Sequence, residues 1–253
     1  MPPTDLQQAE ERSAREAASG SHDKSRYVRA MFSDIAPRYD LLNHLLSFKL
    51  DLWWRRKAIR ALQWEQNPSA CYLDLCAGTL DVAIEIARQP GFQGRVCAAD
   101  FSEEMLRVGR PKVEHRPIHS VTADALALPL ADASCAGAIV AFGIRNLADL
   151  DAGLREAARV IAPGGRLVIL EFSSPRYAII RSGYNFYMNY VVPRIGGLIS
   201  GNRGAYRYLP ESVARFPGVA QLGDRLRQAG FRDVQWQLLT FGVAAIHVGT
   251  RSG

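Results

Sequence analysis

Two hydrophobic rhythms alternate along most of this chain. Short continuous apolar runs are followed by segments in which apolar residues return every three or four positions, the signatures of buried strands and amphipathic helices. Residues 71–87 set the pattern. An apolar run breaks at Ala77-Gly78-Thr79, after which Val82, Ala83, Ile86 and Ala87 fall on one helical face, so the stretch predicts a strand, a tight turn and a helix. Strands are predicted again over 94–100, 118–123, 136–142 and 166–172, with helices over 103–110 and 150–161. Pro163-Gly164-Gly165 is expected to end the last helix in a turn. A helix over 219–230 and strands over 234–239 and 243–250 close the chain. Strand and helix in repeated alternation predict a doubly wound, largely parallel α/β sheet.

Three segments stand outside this rhythm. Residues 1–25 are rich in Ala, Glu, Gln, Ser and Arg without an apolar face, and a disordered lead-in is expected. Residues 26–65 show helical spacing interrupted by Pro37, with Tyr39, Asp40, Asn43 and His44 as a dense polar group in an apolar context. They predict a helical cover over the nucleotide fold, facing a ligand with that group. Residues 184–212 begin with an aromatic-rich apolar insertion (Tyr184, Phe186, Tyr187, Tyr190). A buried core helix and a cover for a greasy substrate or membrane surface both fit it.

In a doubly wound sheet, ligands bind beyond the carboxyl ends of the strands, so the polar residues at those ends are the candidate site. Gly78 lets a ligand approach the backbone. Asp100, at the tip of the second strand, suits a ribose diol. The turn lacks the glycine pattern of a dinucleotide site, and Asp74 and Asp81 beside it repel a pyrophosphate but suit a cationic ligand without phosphate. S-adenosylmethionine meets that description. Asp124, at the end of the third strand, can accept from an adenine amino group, and Arg145 and Asn146 follow the fourth strand, where burial demands partners for both.

Composition narrows the setting. The 253 residues, 48% of them hydrophobic, suit one catalytic domain over 26–253. The net charge of +6 admits nucleic acid or an anionic membrane as partners and selects neither; the basic residues are scattered, and no nucleic acid is expected. Four cysteines on predicted strands or strand ends, none in a metal-type pair, predict reduced thiols, no metal site and a cytoplasmic protein. No signal peptide and no spanning segment are expected, and a homodimer is admitted.

Several motifs carry a resemblance. Ile-Ala-Pro-Arg-Tyr-Asp (35–40), Leu-Asp-Leu-Cys-Ala-Gly-Thr (73–79), Phe-Gly-Ile-Arg-Asn (142–146), Pro-Gly-Gly-Arg-Leu (163–167), Glu-Phe-Ser (171–173), Tyr-Arg-Tyr-Leu-Pro-Glu-Ser (206–212) and Ala-Gly-Phe (229–231) together resemble the ubiquinone/menaquinone biosynthesis C-methyltransferases. The resemblance implies a Rossmann-like class I methyltransferase sheet with an antiparallel C-terminal strand pair. It also implies S-adenosyl-L-methionine held by Asp74, Gly78, Thr79, Asp100, Asp124, Ala125 and Ala141, and C-methylation of a polyprenylated quinol by Arg145, Asn146 and Tyr39. Peripheral contact with the inner face of the cell membrane goes with such a substrate. The chain departs from the family's pattern at Leu80, where glycine is usual, at Ala141, where serine is usual, and at Cys135-Ala136 in place of Phe-Asp. Leu80 is expected to crowd the cofactor's methionine tail or shift the turn. An O- or N-methyltransferase of the same fold and a non-catalytic cofactor- or RNA-binding protein are the competing readings.

Overall fold

The computed structural model describes residues 24–253 together with Ala14 and Ala17. Three helices come first: α1 (Lys24–Ile35), α2 (Tyr39–Leu46) and α3 (Leu50–Leu62). The alternating body follows as β1 (Cys71–Leu75), α4 (Asp81–Ala87), β2 (Arg95–Asp100), α5 (Glu103–Gly109), β3 (Ile118–Thr122), β4 (Cys135–Ala141), α6 (Leu150–Val160) and β5 (Ile161–Phe172). A helical insertion, α7 (Ala178–Phe186), α8 (Val192–Ser200) and α9 (Arg203–Arg215), precedes α10 (Val219–Gln228), β6 (Phe231–Leu239) and β7 (Ala244–Arg251).

The strands form one sheet in the order β3-β2-β1-β4-β5-β7-β6. The first five strands pair in parallel, and β7 runs antiparallel to both β5 and β6, as the expected C-terminal pair requires. Strand order reverses between β1 and β4, which places the ligand crevice at their carboxyl ends. Strand alternation divides the core. Tyr72, Ile139, Val168 and Leu170 pack with Trp54, Ile59 and Ile86 on one face, while Leu73, Leu75, Val140 and Ile169 pack with Leu154 and Leu222 on the other. Each such side chain contributes about 1.5–3 kcal/mol on burial.

Pro163-Gly164-Gly165 does not separate a helix from a strand as expected. β5 begins at Ile161, which pairs with Cys135, and the register shifts before Arg166 meets Gly137. The three residues form a bulge inside the strand. Gly164 has φ +81, and a Cβ on Gly165 would lie 2.5 Å from the Ala136 carbonyl oxygen, so glycine is what lets the two strands resume pairing.

The predicted lead-in over 1–25 lies outside the described residues except at four positions. Ala14 and Ala17 are helical and buried, and they pack in a third apolar cluster with Val28, Met31, Leu42 and Tyr208. Lys24 and Ser25 already belong to α1. The insertion has two sides: Phe186, Tyr190 and Leu198 are exposed, while Met188, Val192, Tyr206 and Tyr208 are buried in the third apolar cluster. A π turn, Tyr187–Val191, joins α7 to α8. Pro193 follows it, with no N–H to donate and a ring that crowds the carbonyl four residues earlier, so the helix widens there.

Leu80 adopts the left-handed conformation (φ 70) that the expected glycine would favour, at a cost of about 1–2 kcal/mol. Its side chain is fully buried in the apolar cluster beneath the turn and does not line the crevice. Burial therefore offsets the strain, and the predicted crowding does not occur. The turn in turn depends on Gly109, where a Cβ would lie 2.6 Å from the Thr79 carbonyl oxygen and 2.7 Å from Leu80 Cγ. Gly109→Ala is expected to lower stability by about 1–3 kcal/mol in urea unfolding; an unchanged midpoint would show that α5 can move away from the turn freely.

Candidate active site

The crevice at the switch point is a cavity of about 320 Å³. Cys76 and Gly78 after β1, Asp100 at the end of β2, and Ala141, Phe142 and Gly143 after β4 line it. Cys76, Leu80 and Phe142 have positive φ, as does Gly78. Left-handed backbone thus occurs where the strands turn over the site, a place where strain is often stored. Gly78 N–H donates to Asp100 Oδ2 at 2.8 Å, and Ser102 N–H donates to Oδ1 at 2.8 Å. Burial pushes the Asp100 carboxyl up, and the N–H donors of Ser102, Gly78 and Phe101 oppose that rise. The carboxylate keeps lone-pair capacity for a ribose hydroxyl.

Of the residues expected at the cofactor, Gly78, Asp100, Asp124, Ala125 and Ala141 line this cavity. Asp74 does not. It is buried under the turn, and its Oδ2 accepts from Ala83 N–H at 2.9 Å, satisfying one of the unpaired amides at the start of α4. Thr79 is also absent from the wall: its hydroxyl donates to Asp40 Oδ1 at 2.5 Å. That bond belongs to a chain of charges. Lys112 Nζ bridges the second oxygen of Asp40 to Asp81 Oδ1, and Arg55 Nη1 donates to Asp81 Oδ2 at 3.0 Å. Burial opposes ionisation of Asp81, but Arg55 and Lys112 outweigh it and hold its carboxyl below the usual carboxylate value. Asp81, expected to flank the turn, does so and locks α2 and α3 onto it.

A second cavity of about 380 Å³ adjoins the first, with Phe32, Tyr39 and Phe142 in the walls of both. Its lining is largely apolar, drawn from α1, α2, α3, the insertion and the ends of β4 and β5. Arg145, like Arg55, is a cation in its wall. Its Nη1 donates to Glu171 Oε1 at 2.7 Å and to the Phe142 carbonyl oxygen at 2.5 Å, with side chains only 7% and 2% exposed. The guanidinium also lies 5.5 Å from the Phe172 ring centroid. Lys24 Nζ donates to the carbonyls of Arg145 and Leu147 at 3.0 and 2.6 Å, fixing the turn that carries Arg145. Asn146 departs from expectation: it lines the first cavity, not the second, and its Oδ1 accepts from Tyr208 at 3.1 Å. Asp51 is the carboxylate in the apolar wall. Its oxygens meet His44 Nδ1 at 2.9 Å and the Ser47 hydroxyl at 2.6 Å.

The first cavity fits S-adenosyl-L-methionine. A buried carboxylate with spare lone pairs faces it for the ribose, Gly78 offers backbone without a Cβ, and Asp100 and Asp124 together favour a ligand carrying positive charge. Among the described residues no cluster of His, Cys, Asp or Glu has the arrangement of a metal site.

The sequence pattern of the ubiE/COQ5 methyltransferase family matches residues 20–251. The chain belongs to this family. It is 52% identical over 224 residues to the demethylmenaquinone methyltransferase of Thermus thermophilus, covering 87% of this chain and all of that protein. It is 45% identical to the ubiquinone/menaquinone biosynthesis C-methyltransferase UbiE of Geobacter sulfurreducens, over 90% of each. Among solved structures, the [4+2]-cyclase SpnF (TM-score 0.65, 15% identity, 90% of this chain and 96% of that one) and a possible histamine N-methyltransferase of Thermotoga maritima (TM-score 0.61, 20% identity, 88% and 99%) share the fold. The two bear different activities by name, a cyclase and a possible N-methyltransferase, so this fold does not fix the reaction.

A family motif drew attention to Arg145 and the strand-tip position to Asp100, but neither signal reached several charged groups around the two cavities. Lys24 and Glu171, which hold Arg145, Asp51 in the apolar wall and Lys112, which ties Asp40 to Asp81, are these groups. Only Glu171 stood in a quoted motif, and a carboxylate ending a buried strand was the signal that a cation had to meet it.

Burial raises the Asp74 pKa from the usual carboxylate value to about 8. The folded state thus binds a proton that the unfolded chain releases, so stability is greatest below about pH 4 on this account and falls as pH rises towards 8. Asp74→Asn keeps an acceptor for Ala83 N–H and should flatten that decline in unfolding titrations; an identical slope would show that Asp74 ionises normally.

Proposed function

We propose that this chain methylates a ring carbon of a polyprenylated quinol in menaquinone or ubiquinone biosynthesis, as demethylmenaquinol is converted to menaquinol. The observation that carries the reading is the pair of adjoining cavities, one bearing the buried Asp100 carboxylate, the other largely apolar, with Arg145 held by Glu171 at one point of its wall and Asp51 beside Arg55 at another. Membership of the ubiE/COQ5 family supports it and removes the reason to prefer an O- or N-methyltransferase or an RNA-binding protein. The methyl donor is S-adenosyl-L-methionine, which supplies a methyl group on a positively charged sulfur.

The residues have distinct tasks. Asp100 accepts from the ribose hydroxyls, with Asp124 and Ala125 beside the adenine. Tyr39, shared by both cavities, stands where donor and acceptor meet and orients the ring. Arg145, held by Glu171, faces the acceptor as a fixed positive charge; guanidinium does not give up a proton, so it stabilises the negative charge that makes the neighbouring ring carbon nucleophilic. Asp51, paired with His44, is the base that the apolar wall offers for the proton released. Phe32, Phe142 and Trp54 exclude water from the second cavity.

Calorimetric titration with S-adenosyl-L-methionine, then an assay on a short-chain demethylmenaquinol, tests this reading. Binding followed by a new C-methyl product is expected; bound cofactor with no methylated product would reject the quinol assignment. Arg145→Ala should lower kcat by about a thousandfold and leave cofactor binding within a fewfold, because Arg145 lines the second cavity only. Unchanged turnover would remove it from the site.

The same reading extends to a bilayer surface as the source of the substrate. No helix of the described residues is long and apolar enough to cross a membrane, yet Phe48, Ile179 and Leu198 are 74%, 89% and 84% exposed, on the segments that enclose the apolar cavity. Lys57 and Arg194 lie against the exposed Trp53 and Tyr190 rings, a pairing suited to anionic headgroups. Flotation with anionic phospholipid vesicles should recover the chain, and Phe48→Ser with Phe186→Ser should reduce recovery about tenfold or more; a chain that never floats would rule the contact out.

A further inference from the structure

In the wall of the apolar cavity three residues carry a buried polar atom without a hydrogen-bond partner among the described residues: Arg55 Nε, Arg145 Nε and the Tyr184 hydroxyl. Arg55 Nε still has the Asp51 carboxylate 3.9 Å away, which leaves the other two. Leaving a buried donor unpaired costs about 1–3 kcal/mol, more when it is charged. The cost is not forced by crowding. Arg145 already spends Nη1 on Glu171 and Phe142, which leaves the Nε edge of the fork aimed elsewhere, and Tyr184 comes from α7, an element of the cover rather than of the sheet. Both residues line this cavity, and their charges are felt mutually: burial raises the Tyr184 pKa, the Arg145 charge opposes that rise and Glu171 adds to it. An N–H and an O–H donor in the wall of one apolar cavity, the first of them cationic, are the donor set that a single negative oxygen requires.

We propose that Tyr184 and Arg145 Nε together hold one ring oxygen of the acceptor as its phenolate, with Tyr184 as a catalytic hydrogen-bond donor. This rests on the quinol reading above. It adds a specificity rule: the acceptor must present an ionisable ring hydroxyl next to the carbon that is methylated, and a ring bearing a methoxy group there binds without reacting. Tyr184 remains the neutral donor throughout, since burial disfavours its own ionisation.

The probe is a nitrated naphthol whose ionised form absorbs visible light, bound to the full chain without cofactor and titrated by pH. The native chain should shift the probe's ionisation to lower pH than in buffer. Tyr184→Phe, which removes one oxygen and retains the ring, should move the bound probe's ionisation back up by about one pH unit and lower kcat on the quinol about a hundredfold, with cofactor affinity unchanged. A native chain that leaves the probe's ionisation where it is in buffer, or fails to bind it, would overturn the proposal even if Tyr184→Phe did not fold. So would a folded Tyr184→Phe chain with native probe ionisation and native kcat. Failure of the quinol reading is a separate result, in which the native chain binds cofactor and ionises the probe but methylates no quinol.

Discussion

A guanidinium that the sheet cannot leave unpaired governs the design of this site. Arg145 follows β4 and Glu171 ends β5, and the two meet at 2.7 Å in surroundings that admit almost no water. Desolvating either charge alone costs several kcal/mol, so each requires the other. The pair fixes the relative ends of two adjacent strands and, with the Phe142 carbonyl oxygen, the direction of the side chain. Burial favours a neutral Glu171, and the Arg145 charge opposes that effect. What the ion pair adds is orientation more than net stability: a cation held at one place beside an apolar cavity, already desolvated before any acceptor enters.

A second ionic arrangement ties the cover to the body. Asp81 begins the helix after the first turn, yet its carboxylate is divided between Arg55 on α3 and Lys112 beyond α5, and Lys112 passes the connection on to Asp40 on α2. Helices that precede the sheet in sequence are thereby fixed to the turn that faces the cofactor. Tyr39 sits one residue before Asp40, so the clasp also places the side chain shared by both cavities. Loosening it would disturb donor and acceptor spaces at once.

The insertion completes the enclosure with a different logic. A Tyr187 hydroxyl on the Leu46 carbonyl and an Arg38 guanidinium on the Ser200 carbonyl tie it to the first helices, and Gly196 lets the Tyr206 ring approach, since a Cβ there would fall 2.3 Å from it. Its inner side supplies Tyr184 and Tyr187 to the cavity, while its outer side leaves large apolar residues in solvent. Such a surface is unusual on a monomeric soluble domain unless something greasy passes over it. The polar floor belongs to the sheet, and the apolar roof to the chain that interrupts the sheet.

The order of strands and helices, the doubly wound class and the acids at the strand ends were all legible in the sequence, because apolar periodicity and glycine-broken turns are local properties. The motifs at 142–146 and 206–212 carried the family for the same reason, each being a short run of specific residues. Which acid faces the ligand was not legible: Asp74 and Asp100 both end apolar strands, and only the direction of the side chain sends one to an amide of α4 and the other into the crevice. The fate of Leu80 was equally hidden, since a left-handed turn can direct a side chain into the core that glycine would leave unfilled. Partnerships across long separations, Arg145 with Glu171 at 26 residues and Lys24 with the Arg145 carbonyl at 121, exist only once the sheet is assembled. The tertiary structure decided them because a buried charge or carbonyl takes whichever partner the fold brings within hydrogen-bonding reach, and sequence distance does not enter that choice.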